Sequence, residues 1–281
     1  MKLHGNIKKI SLLIIWTILG SSVLVLLIAA VQARNNKFCQ GLVIDINGSA
    51  EGEWFLEKKD VISLITMDGT VAVKSRPLDL FDLRSMELRL KKNIWIRKAE
   101  LFFDKKNRLQ VKIEERIPIA RIFTISGNSF YIDSSCKKLP LSSRLSARLP
   151  VFTNYPIQKF RSNKQDSFFL KQVRDLSWFI LNDKFWMAQV AQVDITPERK
   201  FEIVPTVGNH VIQFGDAYNA GGKFHNLMIF YQQVLAKTGF DKYKIVNVEY
   251  ARQVIGVRKL TAQPMLQNVP IHNEKQLNTI Q

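Results

Sequence analysis

Cysteine is nearly absent from this 281-residue chain, which has only Cys39 and Cys136. Two thiols so far apart cannot frame a small disulfide-held fold, and no bridge between them is expected. Histidine is scarce as well. Beyond the N-terminal apolar stretch there are His210, His225 and His272, none with a carboxylate or thiol at ligand spacing. The H-E-x-x-H, C-x-x-C and G-x-S-x-G patterns are missing, so no metal-ligating or catalytic residue is assigned. Gly221-Gly222 lacks the G-x-x-x-x-G-K context of a phosphate loop and reads as the entry to a helix. Glu114-Glu115 is no acid/base couple, because neighbours on a strand point to opposite faces. No cofactor is implied.

Acidic residues are in deficit, 24 against 41 Lys and Arg, for a net charge of +17. The excess forms no long basic run and no aromatic-basic or zinc-finger pattern, so nucleic acid is not an expected partner. It suits anionic lipid headgroups or wall polymer, or simply a well-solvated surface.

Charge is missing altogether from residues 10–31, 22 residues reading ISLLIIWTILGSSVLVLLIAAV. At the helical rise this stretch reaches ~33 Å, about one hydrocarbon core, and predicts a transmembrane helix after a stub over 1–9. Lys2, Lys8 and Lys9 precede it, and Arg34 and Lys37 follow; this balance leans towards a cytoplasmic N-terminus. The competing reading is a cleaved secretory signal ending at Val31-Gln32-Ala33, but the apolar run exceeds the ~7–15 residues of a signal core. On either reading the main body is exported.

After a linker over 32–40, Leu42, Ile44 and Ile46 alternate with polar positions as a strand that stops at Asn47-Gly48. Residues 57–67 place Val61, Leu64 and Ile65 on one helical face and end at Asp68-Gly69, where Gly69 can close the helix. Asp79 or Asp82 can cap a second helix with stripe Leu83, Met86 and Leu90, stopped at Asn93. Ala99, Leu101 and Phe103, a turn over 104–107, and Leu109, Val111 and Ile113 form a hairpin. The order is strand, helix, helix, strand, strand.

That order, directly after one span, resembles the POTRA domain. The resemblance sharpens at Glu115-Arg116-Ile117-Pro118-Ile119-Ala120-Arg121, followed by Ser129-Phe130-Tyr131-Ile132-Asp133, Leu139-Pro140 and Leu149-Pro150-Val151-Phe152. Together with Leu83, Met86-Glu87, Leu90 and Asn93-Ile94-Trp95-Ile96, these segments resemble the bacterial cell-division family FtsQ, called DivIB in Gram-positive bacteria. The resemblance implies an α+β chain with a POTRA domain over 41–118 and a mixed α/β domain with an extended sheet over 119–259.

Within the second block, 165–182 carries Phe169, Val173, Leu176 and Ile180 at helical spacing. Residues 189–195, 200–206 and 210–214 read as strands, with a tight turn at Gly208-Asn209. Residues 222–238 form a second amphipathic helix that Gly239 closes. Strands over 244–250 and 252–258 end the fold, and the polar stretch 260–281 reads as disordered.

The final strand is the candidate site. If it lies at the sheet edge, its unpaired N–H and C=O groups can template a partner's strand; otherwise Arg252, Arg258 and Lys259 simply keep an ordinary edge from aggregating. The resemblance implies that this strand and the preceding helix receive a segment of FtsB, itself coiled with FtsL. The site then comprises Tyr250, Arg252, Gln253, Val254, Ile255, Gly256, Val257 and Arg258. Some family members carry an aromatic residue where this chain has Arg258. Replacing Val254 by Pro is expected to remove a ladder donor there. The POTRA strand over 96–104 is a second possible edge, blunted by Arg97, Lys98 and Lys105.

Three functional classes follow. One is a non-enzymatic scaffold of the division machinery in the inner membrane, with its C-terminal domains in the periplasm. Another is a POTRA factor of secretion or outer-membrane assembly, which would need barrel strands that the two amphipathic helices argue against. The third is an anchored wall hydrolase, for which no catalytic constellation is present.

Overall fold

The structure, a computed structural model, describes residues 3–35, 37–48, 55–67, 69, 72–142, 146–156 and 164–259. The tail expected to be disordered, and Asp68 of the expected helix stop, lie outside these residues. The fold is α+β, and the chain divides into two compact units, Met1–Met187 and Ala188–Gln281.

The first unit opens with α1 (Leu3–Asn35), whose window Leu12–Ala30 has a mean hydropathy of 2.6 and is long and apolar enough to cross a membrane. A three-stranded sheet follows, made by β1 (Gly41–Asn47), β2 (Ile96–Phe103) and β3 (Arg108–Glu115) in the order β1-β3-β2. β3 is central, parallel to β1 and antiparallel to β2. Alternation carries Leu109, Val111 and Ile113 into the core, against Val61 and Ile65 of α2 (Lys58–Thr66) and Met86 and Leu90 of α3 (Leu83–Lys92). Each such burial is worth ~1.5–3 kcal/mol, so helices this short are held by packing more than by propensity.

The ends of the two helices have local causes. The Asp60 carboxylate accepts from the Glu57 backbone N–H at 2.9 Å, and Asp82 accepts from the Ser85 N–H at 3.0 Å. Asp82 is thus the cap of α3, not Asp79. Met67 takes the left-handed conformation that closes α2, at φ 52°, two residues before the glycine expected to close it.

The rest of this unit is a second sheet with strands β4 (Pro118–Thr124), β5 (Ser129–Asp133), β6 (Lys138–Leu139) and β7 (Val151–Tyr155), in the order β7-β4-β5-β6. α4 (Lys164–Asn182) buries Phe169, Val173, Leu176 and Ile180, the stripe expected from the sequence. A short helix, α5 (Lys184–Gln189), follows without a sequence expectation, capped by Asp183, which accepts from Phe185 and Trp186 N–H. A small hydrophobic cluster of Phe55, Trp95, Tyr131 and Leu139 joins the three-stranded block to β5 and β6. Phe55 and Trp95 are stacked at 4.2 Å.

The second unit contains β8 (Val190–Ile195), β9 (Phe201–Pro205), β10 (Val211–Gly215), β11 (Tyr243–Asn247) and β12 (Ile255–Arg258), in the order β12-β11-β10-β9-β8. β10 and β11 are parallel, and the crossover between them is α6 (Ala220–Phe230), continued by a π-helical turn over Tyr231–Leu235 and ended at Gly239. Phe224, Leu227, Tyr231 and Leu235 are buried. His210 Nε2 and the Tyr231 hydroxyl lie 3.1 Å apart; burial pushes the His210 pKa down and that of Tyr231 up to about 12.

Candidate partner-binding edge

What holds the last strand in place is the parallel pair before it. β11 sets β12 by an antiparallel register, Asn247 opposite Ile255, Val246 opposite Gly256 and Ile245 opposite Val257. Among the described residues β12 pairs with β11 alone, so it is a sheet edge.

The strand is shorter than expected. It spans Ile255–Arg258, while Tyr250, Arg252, Gln253 and Val254 occupy the connection before it, with Arg252 at φ 63°. A residue in the left-handed region breaks the strand geometry, which is why the ladder starts only at Ile255. Val254 therefore lies outside the ladder, and proline there removes none of its hydrogen bonds.

The outward groups follow from the alternation of a regular strand. Lys259 N–H donates to the Lys242 carbonyl at 3.0 Å. The amides of Val257 and Ile255 therefore turn the same way, towards β11, while Gly256 and Arg258 turn their N–H and C=O groups to the open edge. Side chains alternate too. Ile255 and Val257 are half exposed on the face that also carries Ile245 and Asn247. On the other face, a side chain added at Gly256 would meet the Tyr243 ring at 2.6 Å and Phe230 at 3.2 Å. Phe230 and Tyr243 pack edge to face at 5.4 Å, so the end of α6 sits against this strand.

The connection leading to Tyr250 is pinned. Val248 N–H donates to the Gln213 carbonyl, Glu249 N–H donates to the Asn247 side chain, and the Glu249 carboxylate pairs with Lys200. This pairing raises the Lys200 pKa. Gly215, at φ +76°, leaves room for Glu249, which would stand 2.6 Å from any Cβ placed there. Tyr250 follows directly and is more than half exposed. Arg252, Arg258, Lys259, Lys242 and Lys244 are all exposed around it, so the edge carries positive charge and two aliphatic side chains.

Buried polar groups also lie away from this edge. Lys223 on α6 donates to the Phe214 and Asp216 carbonyls and to the Asp216 carboxylate at 2.8–3.0 Å, clamping the turn after β10. No sequence signal separates this lysine from the exposed ones. Glu115 is 3 % exposed; burial pushes its pKa up to about 7, although the backbone N–H groups of Leu56 and Phe55 donate to it. Its neighbour Glu114 faces the other way and pairs with Arg97. His225 is exposed, His210 is buried, and among the described residues no group of three His, Cys, Asp or Glu could hold a metal. Cys39 and Cys136 are free thiols.

β2 is also an edge of its sheet, but its cations are occupied: Arg97 by Glu114 and Lys98 by Glu100.

Comparison with known families agrees with this architecture. The model of the family described as FtsQ/DivIB, C-terminal related, matches residues 117–257, half of the chain, and that of the POTRA-like domain matches 37–114. No individual curated protein matches the sequence.

Proposed function

Since the chain belongs to the FtsQ/DivIB family of bacterial cell division, a family of non-enzymatic scaffolds, we propose that it is a bitopic scaffold of the divisome that captures FtsB- and FtsL-like membrane proteins by strand addition on β12. α1 anchors it in the inner membrane with the N-terminus in the cytoplasm and the later domains in the periplasm. The POTRA domain occupies 41–118 and the partner-binding domain 119–259. The observation that carries this reading is the pair of outward backbone groups at Gly256 and Arg258 on an edge strand. Main-chain pairing supplies affinity, while Ile255, Val257 and Tyr250 offer apolar contact. The surrounding Arg252, Arg258 and Lys259 select a partner strand with carboxylates beside it. Arg258 serves by pairing or stacking where some members place an aromatic.

The test uses a proline placed where its missing N–H faces outward. With the full chain and its partners in one membrane, Arg258→Pro loses capture by about tenfold or more, because a partner carbonyl is left unpaired. Arg258→Ala, which keeps the amide, separates the backbone effect from the side chain. Undiminished capture by Arg258→Pro rules out strand addition at this edge.

A further inference from the structure

Unpaired cations gather at one end of the three-stranded sheet, the end where the chain arrives from α1. β1 and β3 both start there, Gly41 opposite Arg108. Segment 37–40 is laced to its neighbours by backbone hydrogen bonds: Cys39 N–H to the Arg76 carbonyl, Ser75 N–H to that of Cys39, Leu78 N–H to that of Lys37, and Gln40 N–H to that of Asn107, all at 2.8–3.0 Å. The turn between β2 and β3 is thereby drawn to the same end. Lys37, Lys74, Lys105 and Lys106 are exposed there, and none is ion-paired among the described residues. The cations along β2 differ in having partners. Two large apolar side chains are exposed in the same place, Phe38 at 48 % and Leu80 at 56 %. Arg76 fixes the turn that carries Leu80 by donating to the Leu80 carbonyl at 2.7 Å and lying over the Phe81 ring.

The length of chain decides what this end faces. The apolar window of α1 closes at Ala30 and the helix continues to Asn35, adding ~7.5 Å. Lys37 is already bonded into the domain, and two residues of chain reach at most ~7 Å. The end therefore lies within ~15 Å of the hydrocarbon boundary, of which the headgroup layer fills ~5–7 Å. The ~8–10 Å that remains beyond the headgroups is comparable with the Debye length of ~8 Å at physiological salt, so these lysines feel the lipid phosphates.

We propose that Lys37, Lys74, Lys105 and Lys106, with Phe38 and Leu80, form a docking surface for anionic phospholipid headgroups. The lysines meet the phosphates, and the two apolar side chains enter the headgroup layer. The span then does more than tether, because the domain has a fixed face towards the bilayer. The proposal needs only that α1 lies in a membrane, whichever side the domain is on, so it stands or falls separately from partner capture at β12.

Hydrogen exchange on the full chain in vesicles tests it. Phosphatidylcholine alone is compared with phosphatidylcholine mixed with phosphatidylglycerol. In the anionic vesicles, exchange over 37–40, 74–80 and 104–107 slows by about tenfold, and ~0.5 M salt reverses the effect. Changing all four lysines, Lys37→Gln, Lys74→Gln, Lys105→Gln and Lys106→Gln, abolishes the slowing while thermal unfolding stays unchanged. Equal exchange in both lipids overturns the proposal, as does undiminished slowing in the fourfold variant. The same slowing induced on neutral vesicles by a soluble anionic wall polymer overturns the assignment to lipid.

Discussion

Two single residues report on the account in different ways. Glu115 ends β3 in a buried site where its folded pKa, about 7, stands above the ordinary carboxylate value of 4.5. Between these values the folded chain holds a proton that the unfolded chain has released. Its contribution is therefore fully present below pH 4.5 and is lost as pH rises towards 7, with a slope of at most about 1.4 kcal/mol per pH unit. Glu115→Gln, which keeps the shape and an acceptor for the Leu56 and Phe55 amides, flattens that slope; urea unfolding midpoints across pH 4–8 check it. Gly256 is the other residue. With Tyr243 and Phe230 against it, Gly256→Ala forces the packed rings or the strand to shift and weakens capture by about tenfold, measured as partner retention at matched expression. Unchanged retention shows that β12 tolerates displacement and that its placement is not what the partner reads.

Elements were readable where burial follows a period. Leu109, Val111 and Ile113 betray β3 by alternation, Phe169, Val173, Leu176 and Ile180 betray α4, and both sit in their cores as their spacing implies. The ends of elements were harder, because local backbone geometry decides them. Met67 closes α2 in place of a glycine, and Arg252 at positive φ delays the start of β12 by three residues relative to the expected 252–258. The candidate site was thus legible as a terminal strand, but not as the two residues, Gly256 and Arg258, that direct amides outward. That distinction depends on which neighbour Lys259 bonds. Short pieces such as α5 and β6 have too few residues to show a period at all. Lys223 and Glu115 look like surface charges in the sequence, and only the turn after β10 and the end of β3 make them interior.

As a whole, the molecule joins a helix long and apolar enough to cross a membrane to a POTRA-like domain and an FtsQ/DivIB-type domain. Near α1 it presents lysines without an ion-pair partner among the described residues, and at the C-terminal end of those residues it presents an edge strand with a cationic border. The match over 117–257 places the chain in the FtsQ/DivIB family, and the proposed scaffold role assigns work to both of those features. The edge is open to direct measurement. Amide hydrogen exchange of the full chain, reconstituted with and without FtsB- and FtsL-like partners, reads the groups on β12 one by one. Slowing of exchange by about a hundredfold at Gly256 and Arg258 on adding the partners is the expected result, with little change at Val257, whose N–H already faces β11. Partner binding that leaves Gly256 and Arg258 exchanging as fast as before would contradict the account.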